Sequence, residues 1–328
     1  MTRFDKKIAN IRAGNYKRSD FIIADAKDGD MGPSMRSCGP KLENNGTFER
    51  YRTRAEFLNQ IDAVIQQDVV DIMLMSASNL EVLTERGAFA ASSVKPAIRA
   101  NDATDVWVGR GATYAKQPSR PYRTASLDPR HRHTDLGLYS VTFNNDLDAD
   151  YASLNAFLQF AYEAEDVGFK YFLEVFNPNV DTGIPPAEVP FYVNDCIIRA
   201  LAGLTRAHRP QFLKIPFNGP KALDELTSFD PSLIVGVLGG GAGTARDTFE
   251  LIHQAEKYGA RVALFGRKIN LAEDPLEMVR LMRAVADGET SPSEAVKAYH
   301  GSLSTNGQKP IRSLEDDNLI TEKVLMGA

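Results

Sequence analysis

The most chemically loaded feature of this sequence is a lysine in the middle of an apolar run. Residues 211–217, Gln-Phe-Leu-Lys-Ile-Pro-Phe, lie between Arg-Pro and Asn-Gly-Pro and read as a short buried strand centred on Lys214. Burial disfavours an ammonium, and a lysine amine kept neutral can attack a carbonyl to form an imine. The alternative is a side chain that snorkels to water or pairs with a carboxylate. A second run, Lys170-Tyr-Phe-Leu-Glu-Val-Phe176, sets Glu174 near a strand end. Adjacent parallel strands would bring Glu174 beside Lys214, where a carboxylate can shuttle protons during imine formation and carbon–carbon cleavage. A structural ion pair explains the same two residues.

Asp25 and Lys27 are two apart at the end of residues 21–27 and so share a face. Lys27, with apolar Phe212, Leu213 and Ile215, would keep the Lys214 amine neutral; an Asp25–Lys27 ion pair is the other reading. Gly239, Gly240 and Gly241 let backbone N–H groups approach an anion, with a helix N-terminus just beyond. Gly266-Arg267 repeats the idea one strand later and adds a cation. One glycine run alone marks a turn; two neighbouring loops of this kind predict a phosphate cradle. His131 and His133 fall in an irregular segment and His253 on a helix surface. No His pair has metal spacing, so neither a metal nor a cofactor is expected.

The elements that must position these residues are legible as alternating runs. Strands are predicted at 21–27, 69–75, 94–99, 136–143, 170–176, 211–217, 233–238 and 260–265. Helices are predicted at 53–67, from a cap at Ser78 to about 89, and at 151–166, 186–207, 221–227, 244–258, 275–286 and 292–299. The alternation predicts an α/β fold, a single (β/α)8 TIM barrel spanning residues 1–328, with its site at the carboxyl ends of the strands. An open doubly wound sheet is disfavoured, because no G-x-G-x-x-G follows the first strand. Long loops interrupt the pattern at about 28–52 and 101–135. The first, from Asp28 to about Gly46, has the length of a lid. The second carries Arg110, Lys116, Arg120, Arg123, Arg130 and Arg132 with few acids. It reads as a phosphate-facing loop, an oligomer contact or a solvated basic surface.

The chain has 328 residues, 43% hydrophobic and 25% charged, with a net charge of −5. That composition is ordinary for a globular enzyme and argues against a nucleic-acid partner. Cys38 and Cys196 form neither a disulfide framework nor a C-x-x-C site, which indicates a reducing, cytoplasmic setting. No run of 18 apolar residues marks a membrane span, and no apolar signal core follows the N-terminus.

Taken in order, five pieces resemble the class I, Schiff-base aldolases, and among them tagatose-1,6-bisphosphate and sulfofructose-phosphate aldolases. Ile23-Ala-Asp-Ala-Lys resembles their first strand, Tyr171-Phe-Leu-Glu-Val-Phe the fifth, and Phe212-Leu-Lys-Ile-Pro the sixth. Gly239-Gly-Gly and Phe265-Gly-Arg resemble the phosphate loops after strands seven and eight. The stretch from Gly266-Arg-Lys-Ile-Asn to Glu273-Asp-Pro is also similar to archaeal-type fructose-bisphosphate aldolases. The resemblance covers the C-terminal two thirds. It implies a metal-independent lyase acting on a phosphorylated ketose or related sugar. It further implies Lys214 as the imine lysine, Glu174 as acid and base, and Asp25 and Lys27 against substrate hydroxyls. Gly239, Gly240, Gly266 and Arg267 would hold phosphate, and the chain would form a homo-oligomer. The fourth strand departs from the pattern: it lacks the second lysine that some of these aldolases carry there, so either Lys27 takes its place or the proton relay differs. Two other readings stay open. A thiolase-type acyl transferase acting on a phosphorylated dione would depend on coenzyme A. A non-catalytic sugar-phosphate-binding barrel would bind ligand with neither imine nor turnover.

Overall fold

Apolar runs buried on both faces need a layer on each side, and a closed barrel inside a helical ring provides both. The computed structural model describes residues 2–42 and 47–326; residues 43–46 of the first long loop lie outside them. Eight parallel strands close the barrel: β1 (Ile22–Lys27), β2 (Ile72–Met75), β3 (Lys95–Arg99), β4 (Leu136–Thr142), β5 (Lys170–Phe176), β6 (Leu213–Ile215), β7 (Val235–Leu238) and β8 (Val262–Phe265). β1 pairs with both β2 and β8, so no edge is left open. β6 is shorter than the apolar run around it, and Pro216, which has no N–H to donate, follows its last residue.

Side-chain parity sorts the strands into two cores. Ile22, Ala24, Ile72, Leu74, Leu138, Phe172, Phe212, Ile234, Val262 and Leu264 pack together inside the barrel. Their neighbours Ile23, Met73, Leu173, Leu213 and Phe265 pack outward against the helices. Continuing the inward parity toward the carboxyl ends gives Arg99, Ser140, Glu174, Lys214 and Gly236. The barrel therefore has an apolar floor and a polar upper layer.

The floor is closed by a helix the sequence reading passed over, α1 (Arg3–Arg12). A Thr2–Asp5 capping box starts it, and Phe4 and Ile8, four residues apart, join the interior cluster. Asp71, fully buried beside this plug, accepts from Arg3 Nε at 2.8 Å, Lys7 Nζ at 3.1 Å, Arg283 Nη2 at 2.7 Å and the Ile23 N–H at 2.8 Å.

Some helix bounds differ from the expected ones. The helix after β4 runs Leu147–Asp166, capped by Asp146, which accepts from the Ala149 N–H. The helix expected from Ser78 runs Ala77–Glu85 with Ser76 at the cap position; the Ser76 hydroxyl bonds Asp30 instead of the helix. The helix predicted at 186–207 is Val189–Ala202. Among the described residues no helix is long and apolar enough to cross a membrane.

The basic segment 101–135 begins as a ribbon, Asn101–Ala103 paired antiparallel with Pro121–Arg123. Three of its six named cations are engaged elsewhere. Arg123 pairs with Glu163 at 2.5 Å, Arg130 with Asp128 at 2.6 Å, and Arg132 lies over the Phe169 ring at 5.5 Å. The phosphate-facing reading of these cations is corrected accordingly: it is Val106 and Val108 of the segment that face the mouth.

Gly236, paired in register with Lys214, has no room for a side chain: a Cβ there would lie 2.7 Å from Val262 Cβ and 2.8 Å from Leu213 O. Gly236→Val is expected to destabilise the barrel by about 1–3 kcal/mol, read as a lower denaturant midpoint, because rigid backbone must move to accept it.

Candidate active site

Lys214 is central in β6 and 6% exposed; Glu174 is near the end of β5 and 1% exposed. They are partners in the β5–β6 register, and their side chains meet at 2.5 Å, Nζ to Oε1. Arg99 ends β3 with the same inward parity and is 6% exposed. Its Nη1 is 2.7 Å from Asp28 Oδ2 and 3.6 Å from Glu174 Oε2, its Nη2 donates to Ser140 Oγ at 2.7 Å, and its Nε is 3.9 Å from Asp102 Oδ1. Burial works against the guanidinium charge, but Asp28, Glu174 and Asp102 outweigh it and hold Arg99 above its ordinary value. Burial likewise works against the Asp28 carboxylate, and Arg99 and then Lys214 overcome it, leaving Asp28 below the usual carboxylate range.

A cavity of about 660 Å³ opens above this layer. Asp28, Arg99, Glu174 and Lys214 form its floor, Gly239, Gly240, Gly266 and Arg267 one side, and Met31, Val106 and Val108 an apolar roof. Met31 comes from the first long loop and the valines from the second, and Arg36 Nη2 ties the two by donating to the Val108 carbonyl. The described part of the loop predicted as a lid thus forms part of the cover.

Asp25 and Lys27 do share a face, but it is the face of Ile23, directed out of the barrel. They pair with each other, Nζ to Oδ2 at 3.2 Å, and Lys27 also donates to Asn270 at 3.4 Å. Asp25 is fully buried, with burial raising its carboxyl against the pull of Lys27. Lys27 reaches the cavity wall and Asp25 does not line it. The cation that stands beside the Glu174–Lys214 pair is Arg99, not Lys27.

On the phosphate side, among the described residues the amides of Gly240 and Gly241 donate to no protein acceptor, and the exposed Arg267 makes no ion pair. The expected help from a helix N-terminus is corrected. In the helix Ala245–Lys257, the Ala245 N–H donates to Asp317 Oδ1 at 2.9 Å and the Asp247 N–H to Thr244 Oγ1 at 3.0 Å. Those two donors are already used, so the anion donors on this side come from the glycine loops and Arg267.

Comparison with known proteins then fits the architecture. An archaeal fructose 1,6-bisphosphate aldolase superimposes with a TM-score of 0.63 at 14% identity, over 87% of this chain and 99% of that one. The two chains share a fold. A second such structure, of a Schiff base-forming fructose-1,6-bisphosphate aldolase solved with reaction intermediates, matches with a TM-score of 0.61 at 13% identity, over 86% of this chain and 99% of that one. A protein from Corynebacterium glutamicum (Brevibacterium flavum) matches with a TM-score of 0.61 at 15% identity, over 87% of this chain and 94% of that one. No protein-family model and no curated protein matches the chain.

Sequence reasoning missed Asp28, Arg99 and Ser140. Each had a usable signal: Ser140 and Arg99 follow the inward parity of Leu138 and Ala97, and Asp28 follows that of Ala26.

Proposed function

We propose that the protein is a class I aldolase that makes or breaks a carbon–carbon bond in a phosphorylated ketose or related sugar through an imine on Lys214. The observation that carries this reading is the buried Glu174–Lys214 contact of 2.5 Å at the carboxyl end of a closed barrel, opening on a cavity with free glycine amides. The aldolase fold supports it; one structure with this fold is an archaeal fructose-1,6-bisphosphate aldolase with its catalytic lysine bound to the carbinolamine intermediate of its substrate.

In the cleavage direction the Lys214 amine adds to the ketone carbon. Glu174 supplies the proton that lets the oxygen leave as water, and an iminium remains. A proton passes from the β-hydroxyl to Glu174, the carbon–carbon bond breaks, and its electron pair enters the iminium to give an enamine. The aldehyde half departs, the enamine carbon is reprotonated, and water releases the ketone and restores the amine. Gly239, Gly240, Gly266 and Arg267 hold the phosphate. Lys27, held by Asp25, contacts a substrate hydroxyl at the cavity wall. The iminium is the electron sink, so activity is expected to survive chelation.

Incubation with dihydroxyacetone phosphate followed by borohydride should leave a reduced adduct on Lys214, located by peptide mass spectrometry. An adduct on Lys27 would exchange the roles of the two lysines. No adduct with any sugar phosphate, together with a requirement for a divalent metal, would overturn the reading. Arg267→Ala should raise KM for a phosphorylated substrate by about 10-fold, the order of one charged hydrogen bond. Unchanged KM and kcat in that variant would remove Arg267 from the phosphate site.

A further inference from the structure

Arg99 is bound into the centre from several elements. It reaches across β4 to Glu174, which is possible because the β4 residue in between is the short Ser140, in register with Glu174. The charged groups that meet here are Arg99 from β3, Glu174 from β5, Lys214 from β6, Asp28 just after β1, and Asp102 behind the guanidinium. Asp102 is held in turn by the Ala103 N–H at 2.9 Å and Tyr122 Oη at 3.4 Å. Glu174 is thereby divided: Oε1 faces Lys214 at 2.5 Å and Oε2 faces Arg99 at 3.6 Å.

We infer that Arg99 is the second cation of this centre, a positioning residue that fixes Glu174 through Oε2, balances Asp28, and leaves Glu174 to move the protons. The inference rests on the imine reading of Lys214. A lysine in this place could itself give up and regain a proton. A guanidinium stays charged across the working pH range, and its planar fork sets two oxygen partners at once. Arg99 therefore contributes orientation and constant charge, and no relay. Without it, Asp28 and Glu174 would face Lys214 alone. That surplus of negative charge would favour the ammonium and require more alkaline conditions for attack on a ketone.

The test is the pH profile of borohydride-trapped adduct and of turnover, with dihydroxyacetone phosphate as the probe, in wild type, Arg99→Gln and Arg99→Lys. Each variant is checked for folding by circular dichroism. Arg99→Gln should lower kcat by about 10²-fold through misorientation of Glu174. It should also move the acid limb of adduct formation to higher pH, and added guanidinium ion should restore part of the rate. Arg99→Lys should keep the acid limb, recover part of kcat, and add an alkaline loss as the introduced amine deprotonates. Folded Arg99→Gln with the wild-type limb and rate would overturn the inference. So would a loss that neither guanidinium nor Arg99→Lys relieves, since that is the pattern of a purely structural role. If Arg99→Gln does not fold, Arg99→Lys decides: a new alkaline loss supports the inference, and a wild-type profile overturns it. If the wild type itself traps no adduct, the failure belongs to the imine reading. If the wild type traps and the profiles do not move, only the role of Arg99 falls.

Discussion

Lys214→Ala is expected to lower kcat by about 10⁵–10⁶-fold, the scale seen when a covalent nucleophile is removed, and to abolish borohydride-trapped adduct. The size follows from what the amine supplies. Breaking a carbon–carbon bond leaves an electron pair on carbon, and without an iminium that pair has nowhere to go. No neighbour can substitute in place. Glu174 is a carboxylate, Arg99 a guanidinium held by Asp28 and Ser140, and Lys27 points from the outer face of β1 with Asp25 and Asn270 as partners. The fold should survive, because the truncation leaves Leu213 and Ile215 in the outer core and lies above the apolar floor. It does leave Glu174 without its closest counter-charge, so some loss of stability is expected. The measurements are single-turnover cleavage, adduct mass and a thermal melt. Turnover within about 10²-fold of wild type in a folded variant would remove the imine from the mechanism.

The barrel was legible because strand and helix runs alternate and each is bounded by Gly, Pro or polar turns. Lys214 and Glu174 were legible because charge inside an apolar run is conspicuous. Which face Asp25 and Lys27 occupy was not. In residues 21–27 both Ile22 and Ile23 are apolar, since the strand is buried on both sides, and the pattern then carries parity without saying which parity is inside. Only the closed barrel, with Ile22 and Ala24 against Phe172 and Phe212, fixes it. The same ambiguity hid Arg99, which reads in sequence as the polar end of a strand, and Asp28, which reads as the first residue of a loop. The Ala245 N–H was out of reach for another reason: its acceptor, Asp317, comes from the distant C-terminal tail, and no local pattern connects them. The plug helix was missed although Phe4 and Ile8 have helical spacing behind a Thr2–Asp5 box. A single turn of apolar spacing does not show what it will cover.

Glu174→Gln separates the imine from the proton transfers that use it. The amide is nearly the same size and can still accept from Lys214 Nζ at the Oε1 position, so the phosphate side and the backbone register should be unchanged. What it loses is the capacity to take and return a proton. If Glu174 is the main general acid and base, kcat should fall by about 10²–10⁴-fold. KM for the phosphorylated substrate should move little, because Gly239, Gly240, Gly266 and Arg267 lie on another wall of the cavity. The adduct should still form at Lys214 on longer incubation, since dehydration of the carbinolamine is slowed and the amine remains. The substitution also removes a negative charge 2.5 Å from Lys214 and 3.6 Å from Arg99. That change favours the free amine, so attack on the ketone should extend to lower pH while the later proton transfers become limiting. The expected signature is therefore a split: adduct formation keeps most of its extent and turnover does not. Glu174→Asp should fall between the two, since it retains the carboxylate one methylene farther from Lys214. The decisive comparison is the rate of exchange of the donor's α-hydrogen with solvent deuterium, followed by NMR in dihydroxyacetone phosphate alone. Exchange at the wild-type rate in Glu174→Gln would mean that another group carries the proton.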